Sequence, residues 1–153
     1  MTQEQINTTI KNDHLEGKLL TFMIKDSQYG VELDHVIEII SIQFITAVPN
    51  VPNYVKGIIN LRGKIIPVID VRLKLNLEEQ VYDDKTCIVV VNVNDMQVGL
   101  IVDRVSEVVN VNQSNLFQIP EISHQQSHQY LKSIAQLDGK IVLNLDFDRF
   151  FSD

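Results

Sequence analysis

Apolar and polar side chains take turns along much of this chain. From Gln28 to Leu33, Tyr29, Val31 and Leu33 point one way and Gln28, Gly30 and Glu32 the other. That period of two is what an antiparallel strand with one wet face requires. With Leu19 to Lys25 before it and Asp26-Ser27 between, the pattern predicts a hairpin. A second hairpin is predicted by Gly57 to Leu61 and Lys64 to Val71 around Arg62-Gly63. Thr86 to Asn94 and Met96 to Asn110 predict a third, turning at Asn94-Asp95, and Ser133 to Leu137 with Ile141 to Leu145 a fourth, around Asp138-Gly139. Gly and Asn tolerate the positive φ that tight hairpin turns need. The arm from Val98 to Val111 is too long for one flat strand, and Gly99 with the charged pair Asp103-Arg104 predicts a bend or bulge inside it.

Shorter elements fill the gaps. Asp34 is placed to cap a short helix that runs into a strand over Val36 to Ile40. Phe44 to Val48 reads as a strand, Pro49 and Pro52 bracket a turn, and Asn53 to Val55 adds a helical turn. Pro67 cannot donate to a ladder, so its strand position is expected at an edge or a bulge. Arg72 to Leu77 and Gln113 to Leu116 suit short helical turns, Glu78 to Lys85 and Pro120 to Gln129 suit exposed connections, and Asp146 suits the cap of a last short helix through Phe151. Met1 to Glu16 is polar with few large apolar residues, the pattern of a frayed tail. Residues 1–17 are therefore expected to be flexible and 18–153 to form the domain. Nine or ten short strands with few helices make the class all-β, sandwich or barrel.

Composition narrows the function. Of 153 residues, 13 are Lys or Arg and 20 Asp or Glu, a net charge of -7, which argues against the basic footprint of a nucleic-acid surface. The single cysteine, Cys87, lies in an apolar run, excludes an intrachain disulfide and suits a small buried hydrophobe in a reducing compartment. The N-terminus has no apolar core of a signal peptide, and no run is long enough to span a bilayer. A soluble, cytoplasmic protein without direct membrane insertion is expected.

Catalytic chemistry finds no footing. Cys87 has no neighbouring base to activate it. His124 and His128 are four apart, but their stretch, HQQSH, offers no third metal ligand close by. Gly57 and Gly63 are not followed by the Lys-Ser/Thr of a phosphate loop. Asp70, Asp103, Glu107, Asp146 and Asp148 form no pair that sequence can place across a cleft. No enzyme, metal or cofactor is expected. A binding protein remains. Residue type alone favours a solvated turn for Arg62, whereas its place at the tip of a stiff hairpin favours recognition. Val105, Val108 and Val109 flank Ser106-Glu107, and Val36, Ile37, Ile39 and Ile40 surround Glu38. Strand alternation cannot hide all of these, and an exposed aliphatic patch with a polar rim reads as an interface.

Four blocks resemble the CheW family of chemotaxis coupling proteins: Tyr29-Gly-Val with Val36-Ile-Glu-Ile39; Val48-Pro-Asn-Val-Pro52; Gly57-Ile-Ile-Asn-Leu-Arg-Gly63 running into Ile66-Pro-Val-Ile-Asp-Val-Arg72; and Val98-Gly-Leu-Ile-Val-Asp-Arg-Val-Ser-Glu-Val108. The resemblance runs from about Leu19 to Phe151. It implies two five-stranded, SH3-like β-barrels packed around a shared core, and a non-catalytic adapter that bridges the hairpin tip of chemoreceptors and the regulatory domain of the histidine kinase CheA. Other copies of the adapter in array rings are further possible partners it suggests. Positions matching the family's receptor groove are Val36, Glu38, Arg62, Val105 and Val108. The kinase face would include Ile39 and Ile45, with a second contact around Ile122, where the family often has an aromatic residue and this chain has Ile-Ser-His. Gly57 and Gly63 would set the geometry of the central hairpin. A small-barrel binder of single-stranded nucleic acid or oligosaccharide is the competing class; the acidic balance and the absence of Trp count against it.

Overall fold

A computed structural model describes residues 1–12, 17–119 and 129–152. In chain order the elements are α1 (Gln3–Asn12), β1 (Lys18–Ile24), β2 (Ser27–Glu32), β3 (Val36–Ser41), β4 (Val55–Leu61), β5 (Lys64–Asp70), α2 (Val71–Lys74), β6 (Cys87–Val93), β7 (Met96–Val102), β8 (Arg104–Asn110), β9 (Leu116–Phe117), β10 (Leu131–Leu137), β11 (Lys140–Leu145) and α3 (Phe147–Phe150). The all-β expectation holds, with two packed sheets. One has the order β8-β1-β2-β11-β10-β9 and the other β3-β6-β7-β5-β4. The sixth strand of the first sheet is the two-residue β9.

Three of the four hairpins turn where the residue types demand. Positive φ falls on Arg62 and Gly63, on Asn94 and Asp95, and on Asp138 and Gly139, the signature of two-residue turns matched to strand twist. The first hairpin turns one residue earlier than expected, at Lys25-Asp26, with Lys25 at φ 56°. The long arm after Asn94-Asp95 breaks at Asp103, and the break separates β7 in one sheet from β8 in the other.

That break is one of two points where the chain passes between the sheets. β3 follows β2 in sequence but pairs with β6 in the opposite sheet; β8 follows β7 but pairs with β1. The chain thus leaves the first sheet after β2, builds the whole of the second from β3 to β7, and returns to the first at β8. Two parallel ladders close the halves, β11 on β2 and β5 on β7. Pro67 sits one residue ahead of the β5–β7 ladder, which starts at Val68↔Gly99, so its missing N–H costs no parallel bond.

The buried residues form one large cluster between the sheets, drawing Phe22 and Val31 from one and Ile39, Val89 and Leu100 from the other. Each sheet also curls over a smaller cluster of its own: Ile59, Ile66, Val68, Ile88, Val90 and Ile101 in the second sheet, and Leu19, Ala135 and Val142 in the first. Buried Lys74 joins the halves differently. Its ammonium lies 4.2 Å from the Tyr54 ring centroid, 5.1 Å from Tyr130 and 5.8 Å from Phe150, a cation held by aromatic faces.

Several local expectations change. Residues 33–35 form a 3₁₀ turn entered from Glu32 without a side-chain cap, so Asp34 caps nothing. The stretch Phe44 to Val48 keeps only one bridge, Thr46 to Ile58. Most importantly, the polar N-terminus is not a bare tail: α1 docks on the domain with Ile6 fully buried in the shared core. Ile6 and Ile10 are four residues apart and so share one helix face, enough to seat an otherwise polar helix.

Candidate functional site

Arg62 stands at the tip of the β4–β5 hairpin. The turn is fastened from within, because the Asn60 Oδ1 accepts the Gly63 backbone N–H at 2.8 Å. From this base the Arg62 guanidinium reaches across to β3 and pairs with the Glu38 carboxylate. The fold has therefore joined two sequence candidates that lie 24 residues apart. The partners differ in exposure: the Arg62 side chain is 70% accessible and Glu38 20%. An ion pair this open contributes about 1 kcal/mol or less to stability. Its arrangement leaves a guanidinium largely in solvent, oriented by a carboxylate seated beneath it.

The aliphatic candidates divide. Val105 and Val108 on β8 are half-buried and pack against the shared core. Val36 and Ile39 are core residues, 4% and 0% exposed, so neither side chain is available as the groove floor or the contact face expected of it. The cause is a bulge in β3 between Val36 and Glu38. An extra residue breaks the two-residue alternation, so Val36 and Ile39 both join the shared core while Ile37 and Ile40 pack over the second sheet's own cluster. What Ile39 does present is its edge backbone, and α1 takes it. The Asn7 side-chain amide donates to the Ile39 carbonyl at 3.1 Å and accepts the Ile39 N–H at 2.8 Å, while Gln3 Nε2 donates to the same carbonyl at 2.9 Å.

Ile45 is half-buried against the second sheet's cluster. Beside it Phe44 is 86% exposed, an aromatic that sequence reading assigned to a strand and did not single out. Ile122 lies outside the described residues, as do His124 and His128. Gly57 and Gly63 both have positive φ, but for different needs. At Gly57 (φ 144°) a Cβ would sit 2.0 Å from the Thr46 carbonyl oxygen; at Gly63 (φ 84°) it would meet nothing within 4 Å. A side chain at Gly63 is thus not forced into the turn, and only the backbone conformation selects glycine there.

The acidic candidates serve the scaffold. Asp103, at the bend between β7 and β8, accepts from Arg72 Nε at 2.7 Å and from its terminal nitrogen at 2.5 Å, and also from the Lys25 backbone N–H at 2.7 Å. The hydrogen bonds that Arg72 donates to Asp103 raise its pKa. Asp70 caps α2 through the Leu73 N–H and accepts the Tyr82 hydroxyl at 2.7 Å. These groups line a cleft of about 460 Å³, but each is engaged by a structural partner. Asp146 likewise caps α3. Cys87 is half-buried at the first position of β6, not deep within a strand; its Sγ donates to the Lys85 carbonyl at 3.3 Å, and burial pushes its thiol pKa up. A raised thiol pKa is the opposite of activation.

The CheW-like domain family model matches residues 18–153. The chain belongs to the CheW family. It is 33% identical over 129 residues to the chemotaxis protein CheW of Bacillus subtilis, covering 84% of this chain and 83% of that one. With the chemotaxis protein CheW of Thermotoga maritima the identity is 31% over 142 residues, covering 90% and 89%. Among solved structures, the scaffolding protein TtCheW from Thermoanaerobacter tengcongensis superposes with a TM-score of 0.78 at 30% identity, covering 84% of this chain and 88% of that one. As a CheW-family chain it is a chemotaxis scaffold rather than an enzyme. Among the described residues no helix is long and apolar enough to cross a membrane.

Proposed function

We propose that this chain couples chemoreceptors to a CheA-type histidine kinase at the cytoplasmic face of the membrane. Arg62 and Glu38 would be the polar anchors of the receptor-facing groove, with Val105 and Val108 as its aliphatic side. The observation that carries this reading is the Arg62–Glu38 pair: a guanidinium mostly in solvent, fixed on a rigid hairpin and aimed by a carboxylate on β3, the opposite edge strand of the same sheet. Such a group meets a partner with little entropy left to lose. A receptor tip is a helical hairpin, so the expected mode is an amphipathic helix laid against a groove. The kinase regulatory domain would take the separate face that carries Ile45, where the exposed Phe44 adds an anchor of the type enriched in interfaces.

The test is Arg62→Ala titrated with a receptor signalling fragment and, separately, with the kinase regulatory domain. Receptor affinity should fall roughly tenfold or more, the size of one lost central arginine. Kinase affinity and thermal midpoint should stay near the parent's. Receptor affinity within twofold of the parent, or loss of kinase binding instead, would reject the assignment.

A further inference from the structure

β3 and β8, where the chain changes sheet, are the edges of their sheets, and α1 with Met1 just ahead of it touches both. On the β3 side Asn7 and Gln3 hold the Ile39 backbone, next to Glu38. On the β8 side the Met1 ammonium donates to the Ser106 carbonyl at 3.4 Å and the Val108 N–H donates to Met1 Sδ at 3.4 Å. Between these ends Ile6 drops into the shared core, and Ile10 packs against the same cluster. The helix therefore lies over the seam between the halves, on residues adjacent to or included in the receptor-facing set.

We propose that α1 occupies the seat of the receptor helix and must leave before a receptor can dock. The proposal rests on the receptor reading above and deepens it. A helix that engages Glu38 on β3 with its partner Arg62 at the β4–β5 turn, and Val105 and Val108 on β8, has to cross the position α1 fills. The mode of seating is already the one such a partner would use: apolar residues at i and i+4 face the core, and polar side chains bond to edge backbone. The hold is also of a kind that can be released. One fully buried side chain and a few side-chain-to-backbone bonds secure a ten-residue helix, a length at which a helix in water is marginal without its docking face. While α1 is down, the unpaired edge of β3 is covered, which guards it from pairing with another chain. When α1 is up, the groove is open. The apparent affinity for receptor is then the intrinsic affinity scaled by the fraction of molecules with α1 displaced.

The experiment uses the full chain. Asn7→Ala removes both bonds to the Ile39 backbone and leaves Ile6 in place; Gln3→Ala removes one bond and gives a milder step; Glu4→Ala, on the exposed side of α1, is the control. Each is titrated with a receptor signalling-hairpin fragment, and amide hydrogen exchange in α1 is followed with and without that fragment. Asn7→Ala should bind about three- to tenfold tighter than the parent, since losing bonds of this kind raises the open fraction by that order. Gln3→Ala should fall between, and Glu4→Ala should match the parent. In the parent, adding receptor should speed exchange in α1. Should Asn7→Ala fail to fold, Gln3→Ala carries the same comparison. If receptor binds the parent while α1 stays protected, or if neither variant binds tighter, the shared seat is refuted and receptor coupling stands. If parent and variants all fail to bind receptor, both readings fall together.

Discussion

Replacing Gly57 by Ala puts a methyl group where the structure has a carbonyl oxygen. The nearest atom to the new Cβ would be the Thr46 oxygen at 2.0 Å, followed by the Thr46 carbonyl carbon at 2.7 Å and the Ala47 Cα at 3.0 Å. All three are backbone, so no side chain can swing aside. Relief requires the segment around Thr46 to lift off β4, and that segment is tied by reciprocal bonds, Thr46 N–H to the Ile58 carbonyl and Ile58 N–H to the Thr46 carbonyl, both 2.9 Å. Losing them costs about 1–3 kcal/mol together. The φ of 144° adds strain of about 1–3 kcal/mol for a residue with a side chain. The total is about 2–6 kcal/mol, a fall in thermal midpoint of about 4–24 °C for a domain of this size. Gly63→Ala is the matched comparison. Its φ of 84° also disfavours a side chain, but nothing lies within 4 Å, so the cost is roughly 1–2 kcal/mol. Thermal and urea unfolding of the two variants against the parent decide the matter. Equal losses, or a larger loss at Gly63, would show that close approach of the 44–48 segment is not what fixes Gly57. A further readout follows if the Ile45 face binds the kinase: freeing Thr46 should weaken that contact for Gly57→Ala and leave it intact for Gly63→Ala.

Two other outcomes follow from the cleft at the bend. Burial, and then the bond to Asp70, hold the Tyr82 phenol well above the ordinary tyrosine range. The unfolded chain releases that proton near pH 10 and the folded chain only at higher pH, so the stability tied to Tyr82 is complete below about pH 10 and declines as pH rises past it. Tyr82→Phe should remove that decline, and the stability gap between it and the parent, followed by urea unfolding, should narrow above about pH 10; a gap constant from about pH 8 to 11 would contradict the argument. Asp103→Ala removes the partner of a mostly buried Arg72 together with the acceptor for Lys25, and should cost about 2–4 kcal/mol in chemical denaturation; a loss below about 0.5 kcal/mol would mean solvent satisfies Arg72 equally well.

What could be read from the sequence was what depends on neighbours in the chain. Asn94-Asp95, Asp138-Gly139 and Arg62-Gly63 named their turns because positive φ is a local demand met by few residue types. The bend at Asp103 was legible for a similar reason: a charged pair interrupts an apolar run. Pairing was not legible, because nothing in β3 or β8 states that its partner lies in the other half. The matching segments Tyr29-Gly30-Val31 and Val98-Gly99-Leu100 did carry a hint. A Cβ on Gly30 would lie 2.8 Å from Val142, and one on Gly99 2.8 Å from Ile88, so the same close approach recurs in each sheet. At the site, the family motif brought Arg62 and Glu38 together as candidates. The burial of Val36 and Ile39 escaped because a bulge resets the alternation and leaves no local mark. Helix α1 escaped because a mostly polar composition outweighed two isoleucines, Ile6 and Ile10, whose spacing was the only sign of a docking face.

The two crossings between sheets, at β3 and β8, bear on how such a chain can change over time. The second sheet is one contiguous stretch, β3 to β7, whereas the first is split around it into β1-β2 and β8 to β11. Recombination that cut between β5 and β6 would separate β3 from β6 and β1 from β8 in a single event. Neither side of that cut can be shuffled into another protein, deleted or replaced without breaking both sheets. Variation is therefore channelled to places that no ladder crosses, such as the acidic connection of residues 78–85 and the tips of the hairpins. Growth by addition at the ends remains open as well, and α1 lies at one of those ends, against the seam where the halves interlock.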